Sequence, residues 1–140
     1  MKTDKRLQYN SFKRPVMGKR VLVVEDDESA RLLYTDELKE EGYAVFFAED
    51  GFHALKFLEK EKVDLVMTDI RLPGINGAIM ISLIRAKYPH IHIVVVSACK
   101  QTSEEGVGRN VDRYFEKPVN LTILKQYIAE VLEKENPLAE

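Results

Sequence analysis

Six side chains stand out for chemistry: the run Glu25-Asp26-Asp27, the separate Asp69, the hydroxyl of Ser97 and the ammonium of Lys117. Carboxylates gathered at one place repel each other, and some protonate unless a cation sits among them. Oxygen ligands with no His or Cys beside them suit a hard divalent ion. Mg²⁺ is the best match, because it uses few carboxylates and keeps waters. Acids, a divalent ion, a lysine and a hydroxyl together are equipment for handling a phosphoryl group. The chain has no G-x-x-x-x-G-K-[ST], and no G-x-G-x-x-G follows a strand, so a bound nucleotide is not the expected donor. A carboxylate can itself take a phosphoryl group as a nucleophile, and Asp69 is the candidate.

For these groups to meet, the fold must carry them to one edge. Val21-Leu22-Val23-Val24 is a continuous apolar, β-branched run, the mark of a strand covered on both faces. Ser29 precedes a helical pattern of Ala30, Leu33, Tyr34 and Leu38, and Gly42 is its stop. Residues 44–48 read as a second strand, 51–60 as a helix anchored by Ala54, Leu55 and Leu58, and 63–67 as a third strand ending at Thr68-Asp69. Pro73-Gly74 and Gly77 mark a loop; Ile79, Met80, Leu83 and Ile84 give a third helix that Pro89 ends. A fourth strand covers 91–96, and Tyr114-Phe115 is a short fifth. Pro118 opens a last helix carrying Leu121, Leu124, Ile128 and Val131.

This alternation predicts an α/β fold: five parallel strands, helices on both faces, right-handed crossovers. Ligands of such sheets bind beyond the carboxyl ends of the strands. Glu25, Asp26 and Asp27 follow the first strand, Asp69 the third, Ser97 the fourth and Lys117 the fifth, so the topology itself collects them. The third strand lies mid-sheet, which favours Asp69 as the acceptor.

The chain of 140 residues, 45% hydrophobic and 31% charged, fits one soluble domain. Its apolar runs are too short to cross a bilayer, and no apolar h-region follows the basic start. The single cysteine, Cys99, excludes an internal disulfide and a cysteine zinc site, and points to a reducing cytoplasm. Net charge is −2, but residues 1–20 carry +6 and the rest −8, a basic arm before an acidic body. Residues 1–18 read as a basic N-terminal extension, 19–135 as the folded domain and 136–140 as a tail too short for a DNA-binding module.

Four segments carry a resemblance. They are the run from Val21 to Glu28, the run from Asp64 to Gly74, Val94-Val95-Val96-Ser97-Ala98, and Tyr114-Phe115-Glu116-Lys117-Pro118. With 43 residues from Asp26 to Asp69, 28 more to Ser97 and 20 more to Lys117, this pattern resembles the receiver domain of bacterial two-component response regulators, of single-domain type. The likeness runs from about residue 19 to 134. It implies a flavodoxin-like sheet of order 2-1-3-4-5 and assigns roles. Asp69 is then the phosphoacceptor. Glu25, Asp26, Asp69 and the backbone carbonyl of Arg71 form the Mg²⁺ pocket, with Asp26 a direct ligand and Glu25 acting largely through water. Lys117 pairs with the phosphoryl oxygens, and its peptide bond to Pro118 is expected to be cis. Ser97 is the switch hydroxyl, and Tyr114 the aromatic that turns inward when Ser97 moves. The implied donor is a sensor histidine kinase or a histidine phosphotransfer protein. The downstream partner is unnamed, and homodimerisation is left open. The chain would be a self-phosphorylating and self-dephosphorylating switch rather than a turnover enzyme.

Two departures carry expectations. Residues 100–110 are poor in apolar anchors, and Asn110-Val111 replaces the family's Gly-Ala pair, which predicts a mobile or partly melted fourth helix. Arg71 and Cys99 occupy the positions that tune acyl-phosphate lifetime in the family, and a long cation at Arg71 predicts slow decay. Plain roles are expected elsewhere: His53, His90 and His92 as surface histidines, Cys99 as a small loop side chain, and Phe46, Phe47, Phe52 and Phe57 as core. Two further readings stand. One is a receiver piece of a larger hybrid kinase or phosphorelay protein. The other is a Mg²⁺-dependent aspartyl-phosphate phosphatase or phosphotransferase, which would want a second acid where Arg71 stands. The intact set of Glu25, Asp26, Asp69, Ser97 and Lys117 speaks against a receiver used only for binding.

Overall fold

The β-branched runs pair side by side into one parallel sheet. The computed structural model describes residues 18–99 and 108–134. In chain order these form β1 (Arg20–Val24), α1 (Glu28–Glu40), β2 (Ala44–Ala48), α2 (Gly51–Lys60), β3 (Leu65–Thr68), α3 (Gly77–Lys87), β4 (His92–Ser97), a 3₁₀ turn (Gly108–Asn110), β5 (Arg113–Glu116) and α4 (Leu121–Lys134). The strand order is β2-β1-β3-β4-β5, all parallel, as expected. The basic extension up to Met17, the short tail and most of the expected fourth helix lie outside the described residues.

The central strands are buried on both faces because each face meets helices. Leu22 and Val24 of β1, Val66 of β3, and Ile93 and Val95 of β4 pack with Ala54 and Leu58 of α2 and with Met80, Ile81 and Ile84 of α3. The alternate side chains Val21, Val23, Leu65, Met67, Val94 and Val96 pack with Tyr34 and Leu38 of α1 and with Leu124, Ile128 and Leu132 of α4. This period-2 division is what a strand covered on both sides requires.

Several side chains differ from the sequence expectation. Phe47 and Phe52, expected in the core, are 56% and 53% exposed. Phe47 lies on an edge strand with one face open, and Phe52 sits on the outward side of the first turn of α2. Phe46 and Phe57 do pack against the core. Leu33, Ile79 and Leu83 are exposed, while Thr35 and Ile81 take buried positions beside Tyr34 and Met80. In α4 the buried stripe runs Leu124, Ile128, Leu132, and Val131 only flanks it.

Side chains close the helix starts. The first helix begins at Glu28, and its cap is Asp27, not Ser29: the Asp27 carboxylate accepts from Ala30 N–H at 2.8 Å. Asp50 accepts from His53 N–H at 2.8 Å, Asn76 from Ala78 N–H at 2.7 Å and Asn120 from Ile123 N–H at 3.0 Å. At the other end of α1, Gly42 adopts φ +104°, where only glycine is unstrained, and its N–H reaches Lys39 O at 3.0 Å.

Asp50→Ala is expected to lower the unfolding free energy by about 0.5–2 kcal/mol, and Asp50→Asn by less. The His53 N–H holds the Asp50 carboxyl below the usual carboxylate value. A carboxyl lowered in the folded state stabilises above its unfolded pKa and loses that contribution as pH falls through its folded one. In denaturant titrations the wild-type advantage over Asp50→Asn should therefore be full at about pH 6 and fade below about pH 4. A gap that stays constant into acid would contradict this.

Candidate functional site

The strand ends deliver the reactive groups to one point. Beyond β1, Glu25 N–H still donates to Ala48 O at 3.1 Å, so Glu25 continues the strand and turns inward, 3% exposed. Beyond β3, Asp69 N–H donates to Val24 O at 3.2 Å, and Asp69 is 8% exposed. Beyond β5, Lys117 N–H donates to Ser97 O at 2.8 Å, and the Lys117–Pro118 peptide is cis. The Lys117 ammonium bridges Glu25 Oε1 at 3.1 Å and Asp69 Oδ2 at 3.0 Å. The remaining carboxylate oxygens face backbone donors. Glu25 Oε2 accepts from Asp27 N–H at 3.1 Å, and Asp69 Oδ1 accepts from Ile70 N–H at 2.6 Å and Arg71 N–H at 3.2 Å.

Two buried carboxylates thus share one ammonium. Burial would lower the Lys117 ammonium, but its hydrogen bonds to Asp69 and Glu25 more than reverse this and hold it above the usual lysine value. Glu25 comes off worse: burial pushes its carboxyl up, and the charge on Asp69 adds to that push against the help of Asp27 N–H and Lys117. The site is short of positive charge.

The other expected residues arrange around this bridge. Asp26 is exposed on the rim, whereas Asp27 spends its carboxylate on the helix cap. Ser97 is fully buried, and its Oγ accepts from Cys99 N–H at 3.3 Å. The Tyr114 hydroxyl donates to Cys99 O at 2.8 Å. Residue 99 is thus the go-between of the hydroxyl and the aromatic. Its thiol is more than a loop filler, because Arg71 Nε reaches Cys99 Sγ at 2.6 Å. His53 faces Asp50, His90 is exposed, and His92 Nδ1 stands 3.7 Å from Asp112 at the opposite end of the sheet.

Among the described residues, no three His, Cys, Asp or Glu side chains already converge as a metal cage. The donors at the rim nevertheless fit a hard cation. Glu25 and Asp69 offer carboxylate oxygens that share a single ammonium, and burial pushes the Glu25 carboxyl up, so oxygen donors there are short of positive charge.

Two supporting residues escape a motif reading. Arg31 donates to Glu25 O at 3.0 Å and Asp26 O at 3.4 Å while its guanidinium lies 5.2 Å from the Phe47 ring centre. It pins the acidic loop from the first helix; an arginine a few residues after an acidic run was the available signal. Gly77 donates to Ile70 O at 2.9 Å, and a Cβ there would overlap the Ile70 backbone. Sequence marks it only as a loop residue, yet its bareness lets α3 press against the turn that carries Asp69.

With this geometry in place, comparison assigns the class. The profile of the response regulator receiver domain matches residues 21–129, and the chain belongs to that family: it is a receiver domain of two-component signalling. It is 36% identical over 114 residues to a cyclic di-GMP phosphodiesterase of Thermotoga maritima, covering 80% of this chain and 30% of that protein. It is 25% identical over 119 residues to sporulation initiation phosphotransferase F of Bacillus subtilis, covering 84% of this chain and 96% of that one. The chain therefore spans under a third of the first relative and nearly all of the second. Among solved structures it is similar to the response regulator TrrA of Thermotoga maritima in complex with Mg²⁺-BeF, with TM-score 0.75 and 35% identity over 81% of this chain and 98% of that one. TrrA is also seen in complex with the histidine kinase ThkA, with TM-score 0.74, 36% identity and the same coverage. Among the described residues no helix is long and apolar enough to cross a membrane.

Gly77→Ala should destabilise the chain by about 1–3 kcal/mol, although alanine is the better helix former, because the backbone behind Asp69 must move. Chemical denaturation checks this; an unchanged or raised midpoint would contradict it.

Proposed function

We propose that this receiver accepts a phosphoryl group on Asp69 from a phosphohistidine of a histidine kinase or phosphotransfer protein, in a Mg²⁺-dependent reaction. The observation that carries the reading is the Lys117 ammonium held between Glu25 and Asp69. An Asp69 oxygen forms the new P–O bond, the P–N bond breaks, and the imidazole leaves. Lys117 is already within reach of Asp69 Oδ2, so it offsets charge on the incoming oxygens without rearranging far. Glu25, Asp26, Asp69 and the Arg71 carbonyl would hold Mg²⁺, which when bound neutralises phosphoryl charge. Ile70 and Arg71 N–H fix the other Asp69 oxygen, leaving Oδ2 to react.

Ser97 then answers to the phosphoryl oxygens. Because Cys99 N–H rests on Ser97 Oγ and Cys99 O receives the Tyr114 hydroxyl, a shift of the serine disturbs the bond that keeps Tyr114 in place. The result is a shift between two packings, read by protein contact. Arg71, drawn across to Cys99, is read as a screen between the acyl phosphate and water. A single-domain role is supported by coverage of 96% of the sporulation phosphotransferase, and a module within a longer protein by coverage of 30% of the phosphodiesterase.

Incubation with a small phosphodonor and Mg²⁺ should add about 80 Da, one phosphoryl group, by intact-mass spectrometry, and Asp69→Asn should abolish the gain. An undiminished gain in Asp69→Asn, or none in the wild type, would overturn the reading.

A further inference from the structure

Away from the strand ends, α3 is apolar on more sides than its own fold uses. One stripe, Met80, Ile81 and Ile84, is buried against the sheet. A second, Ile79, Leu83 and Ala86, recurs at helical spacing but faces outward, with Ile79 57% and Leu83 49% exposed. Between this stripe and α2 runs a groove of about 410 Å³, with Leu55, Leu83 and Tyr88 among its walls. It shares Glu59, Lys87 and Tyr88 with a second hollow of about 450 Å³ at the C-terminal ends of the two helices. Lys60, Lys62 and Lys87 line that hollow, and Lys56 stands 5.4 Å from the Phe52 ring centre on α2. Among the described residues none of these lysines makes an ion pair. Of the two acids beside them, Glu61 is taken by Arg20 at 2.7 Å, which leaves only Glu59. The surface is therefore apolar at its centre and basic around it.

The chain carries the complement of this surface on α1. Glu28, Leu32, Asp36 and Glu40 recur every four residues and form one exposed ridge, with Leu33 alongside. Leu32 and Leu33 are 52% and 46% exposed. Among the described residues Glu28, Asp36 and Glu40 make no ion pair, and Lys39 is the cation on this face. We propose that α1 of one copy of the chain seats in the α2–α3 groove of a second copy, its leucines against Leu55 and Leu83 and its carboxylates toward the lysines. A helix laid into an apolar groove is a recurrent mode of recognition. Neither surface matches itself: groove on groove sets lysines against lysines, and α1 on α1 sets carboxylates against carboxylates. The two surfaces also lie on opposite faces of the sheet. A bound pair thus keeps one free groove and one free α1, and the contact propagates instead of closing about a twofold axis. One helix face is a small interface, so the contact is weak and sensitive to salt. Neither surface includes Asp69 or Lys117, so it stands apart from the phosphoryl-accepting site.

Sedimentation equilibrium of the intact chain at low salt tests this. The mean mass should rise with concentration past that of two chains, and about 0.5 M salt should return it toward one. Leu83→Glu spoils the groove and Asp36→Lys spoils α1; both positions are exposed, and thermal unfolding checks that each variant is folded. Each variant alone should stay a single chain where the wild type associates. Mixed in equal amounts, the two should form a complex of two chains and no larger, because the intact α1 of Leu83→Glu fits the intact groove of Asp36→Lys. A wild type that stays single at about 1 mM, or one whose association stops at two chains, overturns the proposal. So do variants that associate as the wild type does, or a mixture that stays single.

Discussion

One ammonium shared by two buried carboxylates is the constraint around which this end of the sheet is built. Glu25 and Asp69 lie on neighbouring strand ends, and little of either reaches solvent there. Without Lys117 both would face a large desolvation penalty and mutual repulsion, and at least one would protonate. The lysine is placed by backbone: its N–H is anchored on Ser97 O, one strand over. The order β2-β1-β3-β4-β5 matters to chemistry for this reason, since β1, β3 and β5 must end at one level for a single side chain to span them.

The same arrangement leaves the site poised. The ammonium is firmly charged, whereas the Glu25 carboxyl is pushed up by burial. Stability would be better served by an apolar pair, as is often so for buried ions. In the proposed reading, the rim would instead favour an incoming cation, and Lys117 would partner phosphoryl oxygens. Arg31, on one side of the rim, fixes the acidic loop, and Gly77, behind it, fixes the turn after β3. Between β4 and β5, Cys99 links Ser97 to Tyr114 and meets Arg71. A change at Asp69 therefore has a short physical path to the β4–β5 face.

Much of this was legible in the residues. Continuous β-branched runs mark strands covered on both faces, and the rule that ligands bind beyond the carboxyl ends of parallel strands selects Glu25, Asp69, Ser97 and Lys117 before any likeness is invoked. What was not legible depended on direction rather than composition. Phe47 and Phe52 are as apolar as Phe46 and Phe57, but an edge strand and an outward helix turn leave them in solvent. Asp27 looks like part of the acidic cluster until its carboxylate is seen on Ala30 N–H. Tyr34 sits within an apolar helical stripe, and only the packing of α1 brings its phenol beside the carboxylates.

A double-mutant cycle between Lys117→Met and Asp69→Asn, read as unfolding free energy in the presence of a chelator, tests the shared-ammonium account most directly. The account predicts that removing the ammonium costs more while Asp69 is charged than after Asp69→Asn, when only Glu25 is left stranded, giving a coupling of about 1–3 kcal/mol. Additivity of the two substitutions within about 0.5 kcal/mol would contradict it.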